Sequence, residues 1–189
     1  MSQPPRFGIQ CRRLVSAFNG AWHARWLATF MVIVLAHWAE HIVQAGQIFV
    51  LGTARPAALG LLGSVWPWAV SSEWLHYGYA VVMLAGLATL APGFTGRARQ
   101  WWMLALAIQV WHHFEHLLLL VQAMTGWRLT GQPAPVSILQ LFVPRVELHL
   151  FYNAIVFIPM MAGYVLHGRP GAQSRLGCTC TTRRAPLPV

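Results

Sequence analysis

The chain has 189 residues, 57% of them hydrophobic and only 9% charged, where an ordinary soluble domain carries about a quarter. A net charge of +9 would suit a nucleic-acid partner, but in so apolar a chain flanking arginines set topology or meet anionic lipid, and nucleic acid is set aside. All thirteen basic residues are arginine, aspartate is absent, and the only four acids are Glu40, Glu73, Glu115 and Glu147.

Residues 1–21, with Pro4, Pro5, Arg6, Arg12 and Arg13, lack the apolar stretch of a cleavable signal peptide and read as a cytoplasmic arm. A membrane domain follows over residues 22–167. Its first helix, at about 22–50, exceeds the ~20 apolar residues that a bilayer requires. His37, Glu40, His41, Gln44 and Gln47 recur along one side of it at helical spacing.

After a loop with Arg55 and Pro56, the stretch Val65-Trp66-Pro67-Trp68-Ala69-Val70 has the tryptophans of a membrane interface. Ser71 and Ser72 are N-cap candidates for a second helix at about 71–90, opening Glu73-Trp74-Leu75-His76 and closing at Ala91-Pro92-Gly93. The third helix, at about 98–125, carries His112-His113-Phe114-Glu115-His116. The fourth, at about 145–166, begins Glu147-Leu148-His149, with Pro144 suited to the first helical position. Residues 168–189 read as a disordered cytoplasmic tail. Its Cys178-Thr179-Cys180 suggests free thiols rather than a disulfide, with a soft-metal relay as the less favoured reading.

The predicted fold is therefore all-α, a polytopic four-transmembrane-helix bundle. Four spans put both termini on one side, with Arg6, Arg12, Arg13, Arg25, Arg97, Arg99, Arg169, Arg175, Arg183 and Arg184, against Arg55, Arg128 and Arg145 on the other. That bias makes the termini cytoplasmic, in an integral protein of the cytoplasmic (inner) membrane.

His37-x-x-Glu40-His41 and His112-x-x-Glu115-His116 each set three ionisable groups on one helix face. His41 precedes Val50, and His116 precedes Thr125, by the same interval, which places both about 13 Å from the outer helix ends. Glu73, His76, Glu147 and His149 stand at the outer starts of the other two helices. All ten residues are thus expected in the outer half of the bilayer, near the extracytoplasmic face. The halves also match, since nearly the same interval separates Glu40 from Glu73 and Glu115 from Glu147. Tyr79 follows His76 by three, as Tyr152 follows His149. This predicts a tandem two-helix repeat about a pseudo-two-fold axis along the membrane normal.

An uncompensated charge at this depth costs about 2.5–3.5 kcal/mol on insertion scales. Metal ions are the economical partners, since two divalent cations balance four carboxylates while imidazoles supply nitrogen ligands. The expected ligands are His37, Glu40, His41, Glu73, His76, His112, Glu115, His116, Glu147 and His149, around two transition-metal ions. Iron or copper is preferred and zinc is the alternative. His113 points about 100° away from His112 and is expected to pack or hydrogen-bond. The ligand architecture is similar in principle to the four-helix carboxylate di-iron proteins. Glu73-x-x-His76 keeps their motif and Glu147-x-His149 departs from it. The peptidase pattern His-x-x-Glu-His also matches, but weakly, since it recurs on two membrane helices.

Three functions fit, of which the first is preferred. The first is an oxygen-activating oxidoreductase taking an apolar small-molecule substrate from lipid and electrons from a donor protein, with Tyr79 and Tyr152 moving a proton or electron. The second is a zinc-dependent membrane hydrolase. The third is a metal carrier, sensor or haem protein, of which haem is disfavoured by the four glutamates. Hydrogen bonding that merely glues the bundle remains the bland alternative, and Gln44, Gln47, Gln109 and Gln122 are read in that way.

Overall fold

The structure is a computed structural model, and it describes residues 15–169 and residue 180. Most of the expected arm and tail, including Cys11 and Cys178, lies outside the described residues. Among those described there is no strand. Four helices are long and apolar enough to cross a membrane: α1 (His23–Phe49), α2 (Glu73–Leu90), α3 (Gly96–Thr125) and α4 (Arg145–His167).

Local chemistry sets their ends. Ser72 stays extended (φ −78°, ψ 108°) and its hydroxyl accepts from the Leu75 amide, while Glu73 puts a carboxylate in the positive first turn of α2. Gly126, at φ 72°, provides the left-handed turn that closes α3. Pro144 takes the N-cap rather than the first helical position, because ψ 151° holds it outside the helix and Arg145 comes first. Pro159 sits buried inside α4, where it removes one backbone donor that neighbouring helices in a membrane bundle can tolerate.

α3 packs against both α2 and α4, and α1 closes the bundle against α4 and α2. At one end Trp102 is fully buried, stacked on Phe94 with ring centroids 4.0 Å apart, and its indole N–H donates to the Leu87 carbonyl at 2.8 Å. Gly163 brings α4 onto α3: a Cβ there would lie 3.0 Å from the Ala98 carbonyl oxygen and 3.2 Å from the Trp102 nitrogen. Such small-residue contacts do in lipid what hydrophobic burial does in water. Val32, Ile42, Trp74, Phe114 and Ile158 face outward, while His41, Gln44, Gln109, Glu115, His116 and His149 are buried. Apolar outside and polar inside is the arrangement of a bundle solvated by hydrocarbon.

The loop after α1 folds back as short helices Gly60–Val65 and Pro67–Ser71, and the first of these packs on α1. The loop before α4 carries a 3-10 turn, Leu139–Leu141. These loops lie at the end of the bundle that holds the histidines.

Candidate metal centre

Helical spacing brings His37 over His41 on α1 and His112 over His116 on α3. The two pairs have nearly identical geometry. The Nε2 atoms are 3.0 Å apart in the first and 3.1 Å in the second. Neutral imidazoles can share one proton at that distance. It is also the separation of two nitrogens at right angles around an ion with bonds of about 2.1 Å, roughly 3.0 Å. His76 at the start of α2 and His149 at the start of α4 complete the group. His149 is its hub, with ring centroids 5.4 Å from His41, 5.9 Å from His76, 5.8 Å from His112 and 5.2 Å from His116.

Tautomers follow from the outer hydrogen bonds. The Nδ1 of His76 donates to the Ser72 carbonyl at 2.8 Å, and that of His149 to the Arg145 carbonyl at 2.9 Å. A carbonyl can only accept, so the proton is on Nδ1 and the Nε2 lone pair faces inward. His41 does the same through Gln44 Oε1 at 2.8 Å. The Nε2 of His149 is buried with no hydrogen-bond partner, an arrangement that costs about 1–3 kcal/mol unless something accepts the lone pair. Donor atoms of His112, His116 and His149 lie within 4.8 Å of one another, close enough to hold a metal ion. Around them is a void of about 20 Å³, room for one or two atoms.

The carboxylates have other immediate partners. Glu73 makes a bidentate pair with Arg145 at 2.6 and 2.8 Å, and Glu147 pairs with Arg55. Arg145 stands two residues from Glu147, but a two-residue step turns about 200° around a helix, and Arg145 pairs with Glu73 instead. The hydrogen bond and charge of Glu147 raise the Arg55 pKa. Glu40 accepts from the Leu61 and Leu62 amides at 3.1 and 2.9 Å, and Glu115 accepts from the Leu139 amide at 3.1 Å. No carboxylate belongs to a metal-sized group of three or more donors among the described residues. The glutamates thus fasten loops and arginines around the imidazoles.

The tyrosines lie against the histidines. Tyr79 stacks on His37 (3.6 Å, 14°) and Tyr152 on His112 (4.1 Å, 27°), and the Tyr152 hydroxyl accepts from Trp111 Nε1 at 2.7 Å. His113 turns away and meets Tyr77, 5.2 Å between ring centroids. A cavity of about 220 Å³ reaches His37, His76 and Tyr79 past Leu62, Val70 and Leu75. A second, of about 310 Å³, reaches His41, His76 and His149 past Arg55 and Arg145.

Beyond any role as interhelical glue, Gln44 orients His41. The available signal was its position three residues after that histidine. Gln44→Leu is expected to weaken metal binding about 10–100-fold through loss of that outer contact, measured by competition with a chromophoric chelator. Gln47→Leu, whose Oε1 accepts from the Gly60 amide at 2.8 Å, should leave affinity unchanged. Comparison of the chain with protein-family models, with curated proteins and with solved structures gave no match.

Proposed function

We propose that the protein is a membrane-embedded oxidoreductase in which His37, His41, His76, His112, His116 and His149 hold one or two transition-metal ions, copper in preference to iron. The observation that carries this reading is the set of inward Nε2 lone pairs, with His41, His76 and His149 each held in the required tautomer by an oxygen on the other ring nitrogen. An imidazole donor set suits copper, iron and zinc alike, and of these divalent ions copper binds a given nitrogen site most tightly. Two of the four glutamates are offset by Arg55 and Arg145, leaving Glu40 and Glu115 to balance one divalent or two monovalent ions.

When bound, copper would supply one-electron chemistry with dioxygen. The chain's own residues do the rest: the apolar cavity past Leu62, Val70 and Leu75 admits a substrate from lipid, and stacked Tyr79 and Tyr152 offer a phenolic proton or electron beside His37 and His112. Electrons would come from a donor protein. The tandem repeat, cytoplasmic termini and placement in the outer half of the bilayer belong to the same proposal. Matched contacts support the repeat. His37, Glu40, His41 and Gln47 recur in one common register at His112, Glu115, His116 and Gln122, and His76 and Tyr79 recur in a second register at His149 and Tyr152. The Nε2–Nε2 contacts within each pair, the tyrosine stacking on His37 and His112 and the Nδ1 bonds of His76 and His149 to backbone carbonyls recur. Gln122 Oε1 accepts loop amides as Gln47 does, while the Gln44 contact of His41 has no counterpart at His116. On this alignment Glu73 and Glu147 are not equivalent.

A zinc-dependent hydrolase is the second reading, favoured by the arginine-lined cavity beside His41 and His149. Oxygen uptake separates the two. Copper-loaded protein in vesicles of membrane-lipid extract, given a chemical reductant, is expected to consume oxygen at least tenfold faster than His112→Ala plus His149→Ala protein. Equal rates would rule out the oxidoreductase, and retention of zinc alone by the six histidines would favour hydrolysis.

A further inference from the structure

The opposite end of the bundle carries its own set of metal donors. His23 begins α1 and His167 ends α4. Each stands about five helical turns from a histidine of the centre, His41 and His149 respectively, or about 27 Å along its helix. Neither belongs to the repeated motifs. Both are buried, at 0% and 2% exposure, with ring centroids 5.2 Å apart and nearly perpendicular, and Phe94 packs against both. Cys180 comes to the same place, and one donor atom from each of His23, His167 and Cys180 lies within 4.8 Å of the others.

We infer that His23, His167 and Cys180 form a second metal site, for a thiophilic ion of the zinc or cuprous class. A thiolate with two imidazoles is a donor set these ions accept and magnesium, calcium or manganese do not. Tetrahedral coordination at ordinary bond lengths puts such donors about 3.3–3.6 Å apart, so from within 4.8 Å binding draws the three together by at most about 1.5 Å. Cys180 is half-buried and lies beyond the last helix, while the helices hold the imidazoles.

His23 is held in the ligating tautomer. Its Nδ1 lies 3.2 Å from the Phe18 carbonyl oxygen, so Nδ1 carries the proton and Nε2 the lone pair. The backbone around it is tied down by Asn19, which is fully buried. Its amide donates to the Val15 and Thr89 carbonyls at 2.8 Å each, and its oxygen accepts from the Gly93 amide at 2.8 Å. Gly93 makes room for the ring: a Cβ there would stand 2.5–2.8 Å from three His23 ring atoms. A side chain at position 93 would therefore displace the ligand.

The site is independent of what the six-histidine centre does, and thiolate ligation gives it a separate signature. Purified full-length protein loaded with cobalt(II), as a spectroscopic substitute for zinc, is expected to show a near-ultraviolet thiolate-to-cobalt charge-transfer band. Cys180→Ser should reduce that band at least tenfold and leave the weaker visible bands of imidazole-bound cobalt. Cys11→Ser, Cys178→Ser and His149→Ala should leave the charge-transfer band in place. In unmutated protein, zinc should slow alkylation of Cys180 at least tenfold, read by peptide mass spectrometry and reversed by a chelator, with Cys11 unaffected. Absence of the band, its survival in Cys180→Ser, its loss in Cys178→Ser or Cys11→Ser instead, or alkylation of Cys180 indifferent to zinc would each overturn the assignment.

Discussion

Alanine in place of His149 is expected to remove metal binding at the six-histidine centre while leaving the metal-free protein about as stable as before. Two effects of opposite sign meet in the apo state. Truncating a buried ring loses packing, but it also deletes a buried acceptor with no partner, relieving about 1–3 kcal/mol. In the loaded state only the loss remains, because His149 is the ring that touches four of the other five. At free metal about 100-fold above the dissociation constant, ligand binding stabilises by roughly 2.7 kcal/mol. With Cys180→Ser in place so that the opposite end of the bundle does not contribute, that increment should be present when His149 is intact and absent when it is replaced, measured as the metal-induced rise in melting temperature in detergent. If apo His149→Ala melts far below apo protein, or keeps the metal-induced rise, the ring is a structural element and no ligand.

The second large effect is expected at Arg145. Methionine there keeps the backbone carbonyl that accepts from His149, but strands the Glu73 carboxylate, only 10% exposed, without its guanidinium. Unpaired buried charges cost about 3–5 kcal/mol and exposed pairs under about 1. Arg145 is itself 35% exposed, so an intermediate loss of about 2–3 kcal/mol is expected, or about 5–10 °C in a chain of this size. Arg145→Met with Glu73→Leu should recover most of that loss, since the stranded charge is then gone. Arg55→Met, at the more exposed pair with Glu147, should cost much less. Equal effects at the two arginines would mean that burial is not what gives the Glu73 pair its weight.

The long apolar runs and the spacing of polar residues within them made the helices and the convergence of their histidines legible in the sequence. An i, i+4 pair such as His37 and His41 shares a face in any helix, so local geometry suffices. The carboxylates could not be placed by the same means. Glu40 and Glu115 lie on the histidine face, yet their oxygens meet amides of the loops at 61–62 and 139, and helix periodicity does not say where a loop folds back. Arg145 shows the same limit, because its choice of Glu73 over Glu147 depends on the packing of α4 beside α2. His23 and His167 stand on the first and last helices and meet only when the bundle closes. The hint was that His23 precedes His41 by the same interval as His167 follows His149.

X-ray absorption at the copper edge of loaded protein in lipid tests the imidazole-built centre most directly, with Cys180→Ser in place so that no thiolate contributes. The expected spectrum has a nearest shell of nitrogen at about 2.0 Å, near the usual metal–imidazole distance, with the outer-shell scattering of several imidazole rings, and His112→Ala plus His149→Ala removes it. A shell dominated by carboxylate oxygen, or copper that is not retained by the unmutated histidines, would contradict it.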